Sequence, residues 1–281
     1  MSGIPPFVIG ATVVSFATTL PEIIVSVTAA YKGQADMAAG NAIGSVTANT
    51  AMILSLSVIF LPASVDRLRC LPKTVLLIGA IILLWLTGLS GMLTPVGCTA
   101  LLLLFGVFVW ENLRSAKRDR VGQTAPVNTS LPKNILFFLL GAAAIILGSR
   151  LLVDNGTVIA RDILRIDERV ISLTMVAVGT SLPELVTAVS AIIKRKASLT
   201  VGNILGANII DMLLILPLCA AAQGGTLPVS RSTVWLDLPF CLISAAILLI
   251  PALVRGRFYR AQGVCALSLY LMYTAALFVF G

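Results

Sequence analysis

Two pentapeptides, Thr18-Thr19-Leu20-Pro21-Glu22 and Thr180-Ser181-Leu182-Pro183-Glu184, each place a proline and a carboxylate inside an otherwise apolar segment. Proline removes a backbone donor and clashes with the preceding turn, so a helix breaks there. A carboxylate at membrane depth costs about 2.5–3.5 kcal/mol to insert and must face a bundle interior or a wet cavity. Irregular backbone at that depth is likewise tolerated only where protein buries it or water reaches it. The motif therefore predicts two interrupted helices that meet at a polar centre.

That the setting is a bilayer follows from composition. Hydrophobic residues make up 58% of the 281 and charged residues only 11%, with a mean hydropathy of +1.02. Soluble domains carry about a quarter charged residues. Nine apolar segments are expected, at about 4–31, 38–61, 73–89, 96–112, 134–153, 170–193, 199–221, 235–254 and 261–280. The fold class is an all-α polytopic membrane protein of about nine transmembrane helices, broken at the centre. No basic run is interleaved with aromatics, which argues against nucleic acid as a partner. With no histidine and five scattered cysteines, a zinc or haem site is not expected. The same lack of histidine, with no nucleophile–base pair in view, argues against an enzyme.

Basic residues set the expected orientation. Counting alternate loops puts fourteen of the twenty Lys and Arg residues on one side, among them Arg67, Arg69, Lys73, Arg114, Lys194 and Arg257. That side is expected to be cytoplasmic, with the N-terminus in and the C-terminus out. The expected division is a first half at 1–112, a cytoplasmic linker at 113–133 and a second half at 134–281.

The two motifs belong to a longer duplication. The offset from Glu22 to Glu184 is 162, and it also carries Gly40-Asn41 onto Gly202-Asn203, Gly44 onto Gly206 and Asn49 onto Asp211. Hydrophobic patterning cannot explain a register kept at polar positions, so the repeats, 4–61 and 166–221, read as copies. They begin five crossings apart, an odd number, which makes them an inverted repeat. In transporters of that design the binding site lies between the repeats at mid-membrane. The helix at 134–153 has no counterpart before the first copy, and the expectation is that an upstream helix has been lost.

Of the twelve acidic residues only Glu22, Glu184 and Asp211 are expected well inside apolar segments, with no basic residue comparably deep, and Asn49 holds the repeat position of Asp211. Thr18, Thr19, Thr180 and Ser181 precede the prolines, and Asn41, Ser45, Asn203 and Asn208 flank the glycines. Carboxylates, an amide oxygen, hydroxyls and carbonyls make an all-oxygen set. Such a set suits calcium, which takes about 6–8 oxygens, or sodium in neighbouring sites.

With their flanks, the two blocks Ala17–Glu22 with Gly40–Ser45 and Val178–Glu184 with Gly202–Asn208 resemble the α-repeats of the cation/calcium exchanger superfamily. The likeness is to its sodium/calcium exchanger branch in a compact prokaryotic form. It implies ten helices, the first missing here, and alternating access with no bound cofactor. The transported calcium ligands would be Glu22, Asn49, Glu184 and Asp211. Sodium would draw on Thr18, Ser45, Thr180 and backbone oxygens near Ser15 and Ala177. Two positions depart from the family pattern: Ala207 replaces a common serine, and Val46 replaces an asparagine. The expected function is sodium/calcium antiport in a prokaryotic inner membrane. The alternatives are proton- or potassium-coupled calcium antiport, or a remnant of the fold that does not transport.

Overall fold

The computed structural model describes residues 6–120, scattered positions between 140 and 165, and residues 168–280. Within them the chain is helical apart from short turns. The two proline motifs break helices as expected. Phe7–Thr18 (α1) meets Leu20–Tyr31 (α2) at 42°, and Ser172–Thr180 (α6) meets Leu182–Ile193 (α7) at 52°. Pro21 and Pro183 open the second helix of each pair, where a missing N–H leaves no bond unmade.

The remaining helices are Ala35–Phe60 (α3), Arg67–Gly88 (α4), Pro95–Arg120 (α5), Ala197–Ala222 (α8), Thr233–Arg255 (α9) and Arg260–Phe280 (α10). Five helices among the described residues are long and apolar enough to cross a membrane, or seven if each bent pair is one crossing. The segment expected at 134–153 lies largely outside the described residues. So does most of the linker expected at 113–133. Its first part is not a loop, because α5 continues to Arg120 through helix-forming Ala, Lys and Arg with no glycine or proline to stop it.

Burial sorts these helices into two shells. In α3 and α8, 78% and 83% of the most apolar stretch is inside the protein, against 39%, 22% and 44% for α4, α5 and α9. The pairs α1–α2 and α6–α7 with α3 and α8 therefore form the centre, and the others surround it. Small residues make this possible. A Cβ on Gly44 would stand 2.8 Å from the Ala177 Cβ, and one on Gly206 would stand 2.6 Å from the Ser15 Oγ. Only glycine lets the helices approach so closely.

Four central helices carry widened π turns, at Gly10–Val14, Ala48–Leu54, Ser172–Val176 and Asp211–Ile215. Such turns shift the hydrogen-bond ladder and are frequent at functional sites. The first and third are related by the 162-residue offset.

The two ends of the bundle are tied differently. At one end, Met92–Leu93 (β1) pairs antiparallel with Leu227–Pro228 (β2), joining the α4–α5 turn to the α8–α9 connection. At the other, Ser64 bridges Arg257, Val65 N–H donates to the Gly256 carbonyl at 2.8 Å, and Arg67 donates to the Val254 carbonyl.

Candidate functional site

Each glutamate of the repeated motif sits in the first turn of the helix that follows the break. The free N–H groups and the dipole of that turn favour an anion there. Asn49 and Asp211 sit where the widened turns of α3 and α8 begin. All four side chains are buried, none more than 1% exposed. The three acids lie within Coulombic range of one another, Glu22 with Glu184 and Asp211, and Asp211 with Glu184. Among the described residues no basic side chain is ion-paired with any of them.

Their polar atoms are left unmatched. Glu22 Oε2, both oxygens of Glu184, both oxygens of Asp211, and Asn49 Oδ1 and Nδ2 lack a hydrogen-bond partner. The Thr18 and Thr19 hydroxyls lie beside Glu184, yet both donate elsewhere. Buried polar atoms in native proteins are nearly all satisfied, and this concentration of bare oxygen is one that bound cations would satisfy. Among the described residues no three Asp, Glu, Cys or His side chains close into a metal cage. A cation held here would need neutral oxygens between the carboxylates.

The neutral oxygens are present, in reciprocal pairs. Thr180 Oγ1 donates to Asn41 Oδ1 at 3.1 Å, and Thr18 Oγ1 to Asn203 Oδ1 at 3.4 Å. Ser181 Oγ donates to Glu22 Oε1 at 3.3 Å, and Thr19, its repeat equivalent, flanks Glu184. The amide nitrogen of each asparagine is held too, Asn41 Nδ2 donating to Ser26 Oγ at 2.8 Å and Asn203 Nδ2 to Thr187 Oγ1 at 2.9 Å. Ser45 Oγ lies 3.3 Å from Thr180 Oγ1.

All seven residues singled out as metal ligands, Thr18, Ser45, Thr180, Glu22, Asn49, Glu184 and Asp211, are buried on the central helices. A further contact between the two repeats has no repeat counterpart. Asn208 Nδ2 donates to Thr50 Oγ1 at 2.7 Å, but the positions related to them are Val46 and Met212. Thr50 had no sequence signal, because its partner is set by tertiary packing alone.

The expectation that only three acids, and no base, lie deep needs correction. Lys73 is fully buried and donates to Glu111 Oε2 at 2.6 Å, with its ammonium 5.4 Å from the Phe7 ring centre. Asp237 is also fully buried and accepts from the Tyr273 hydroxyl at 2.8 Å. The first link joins α4 to α5 and the second α9 to α10.

The family profile described as sodium/calcium exchanger protein matches residues 1–113 and 133–279. The chain is 37% identical over 233 residues to the inner membrane protein YrbG of Escherichia coli, covering 79% of this chain and 71% of that one. It is 26% identical over 317 residues to the sodium/calcium exchanger MaX1 of Methanosarcina acetivorans, covering 98% and 90%. Among solved structures, the sodium-calcium exchanger NCX_Mj soaked with sodium and strontium superposes with a TM-score of 0.81 at 29% identity, over 98% of this chain and 88% of that one. The chain belongs to the sodium/calcium exchanger protein family.

Proposed function

We propose that the central oxygens bind sodium and calcium in turn. The protein is a secondary-active exchanger in the membrane, moving calcium against sodium by alternating access, and it performs no covalent chemistry. The observation that carries the site assignment is the set of unmatched oxygens on Glu22, Glu184 and Asp211 in the buried centre of the bundle. Three carboxylates with no basic partner among the described residues hold more negative charge than a bilayer interior tolerates unless cations offset it. Calcium would bridge Glu22 and Glu184, with Asn49 and Asp211 completing the set. Sodium ions would divide the same carboxylates between Thr18, Ser45, Thr180 and backbone carbonyls. Two loads that need the same oxygens exclude one another, and that exclusion couples their movement.

The reciprocal contacts favour an inverted repeat of about nine crossings, with 4–61 and 166–221 as its copies. Thr18 meets Asn203 as Thr180 meets Asn41, and Gly206 meets Ser15 as Gly44 meets Ala177. The arginine-rich end, with Arg67, Arg69, Arg255 and Arg257, would face the cytoplasm of a prokaryotic cell. The test is calcium uptake into proteoliposomes under an outward sodium gradient, with a proton gradient as control. Glu184→Gln is expected to abolish uptake and calcium binding together. Calcium binding unchanged in that variant would remove the assignment.

A further inference from the structure

The halves exchange backbone contacts faithfully, but two side chains trade places. At the offset of 162, Ser45 corresponds to Ala207, and Ser15 corresponds to Ala177. Each helix–helix contact thus has one serine and one alanine, on opposite sides. In the first contact, α3 supplies the hydroxyl: Ser45 follows Gly44, which abuts Ala177 on α6. In the second, α8 offers only Ala207 after Gly206, and Gly206 abuts the Ser15 hydroxyl on α1. The hydroxyl has moved across the interface to the facing helix.

Ser15 is fully buried, and its Oγ donates to the Thr12 carbonyl at 3.0 Å. A hydroxyl with its one proton committed still presents lone pairs to a cation. The Ser15 carbonyl also organises the neighbourhood. It accepts from the Thr19 amide at 2.9 Å, the Thr19 hydroxyl at 2.6 Å and the Thr18 hydroxyl at 3.3 Å. Those two threonines flank Glu184.

We infer that the Ser15 hydroxyl is a sodium ligand of the half-site built from Thr18, Thr19 and Glu184, replacing the hydroxyl that Ala207 lacks. The inference rests on the sodium-exchange reading above and adds to it a side chain where only a backbone oxygen was expected. It accounts for the serine on α1 where its repeat partner is alanine. Both halves then offer sodium the same number of hydroxyls, despite Ala207.

The test compares the full-length protein with Ser15→Ala, Ala207→Ser and the double variant, all in proteoliposomes. Two quantities are read: the sodium concentration giving half-maximal calcium exchange, and the KM of calcium–calcium exchange without sodium. Ser15→Ala is expected to raise the first about tenfold, the scale of one lost charge-assisted contact, and to leave the second in place. Adding Ala207→Ser is expected to restore sodium affinity by returning the hydroxyl from the other side. An unchanged sodium response in Ser15→Ala overturns the inference. So do sodium and calcium shifting together, which would make the Ser15–Thr12 bond a packing contact, and a double variant that exchanges calcium but stays weak for sodium. A wild-type protein whose calcium exchange ignores sodium would remove the underlying reading before any substitution is made.

Discussion

Asn49 and Asp211 hold equivalent positions at the start of equivalent widened turns, yet one is neutral and the other charged. The difference sets how much negative charge the centre holds. In the proposed site a divalent ion would leave the three acids a small excess of negative charge, which a departing ion could overcome. Asn49→Asp would add a fourth carboxylate with no base to offset it. Calcium should then bind more tightly and leave more slowly, so KM and maximal uptake rate both fall. Initial-rate measurements over a calcium series check this, and an unchanged KM would take Asn49 out of the site. The candidate ligands were legible in the sequence because membrane-embedded carboxylates and amides are rare and these recur in register. Thr50 was not, since its bond to Asn208 joins positions 158 apart in the chain with no repeat counterpart.

Lys73 shows where reading the chain falls short for whole elements. It lies in a basic cluster with Arg67 and Arg69, which reads as a solvated helix flank. The helix instead begins at Arg67, with the Asp66 side chain accepting from the Leu68 N–H at 3.1 Å. That extra turn and a half carries Lys73 inside, where Glu111 on α5 receives it. Charge pattern cannot reveal a partner 38 residues away on another helix. Removing one member of a buried ion pair strands the other, at a cost of about 3–5 kcal/mol, whereas replacing both with apolar groups is often neutral. Lys73→Met should therefore lower the thermal midpoint clearly, and Lys73→Met with Glu111→Leu should recover most of the loss. Thermal unfolding in detergent distinguishes the two, and equal midpoints for all forms would show that the pair contributes nothing. The proline breaks were readable because the chemistry of proline is local; the π turns were not, because apolar runs look alike whether a turn holds four residues or five.

Across the whole molecule, ties at opposite ends give the topology a direct test. Ser64 lies in the end bonded to Arg257, and Ser90 in the turn beside the β1–β2 pair. Both are at the surface. With exposed Cys265 replaced, Ser64→Cys should react with an impermeant thiol reagent only from the cytoplasmic side and Ser90→Cys only from outside. Labelling of both from one side would refute the alternation. Among the described residues a groove of about 670 Å³ lies between α1 and α5, and Val170 and Leu173 of the α6 region pack against Tyr273 and Leu277 of α10.

The traded contacts at Gly44 and Gly206 bear on energetics as well as geometry. Under the proposed inverted repeat, a half that took up the posture of the other would keep glycine against alanine or serine and threonine against asparagine, which would bring the two postures close in energy. A secondary exchanger couples two ion flows and adds no energy of its own, so it has no built-in direction. It will load a cell with calcium as readily as empty it, and only the relative steepness of the two ion gradients decides which.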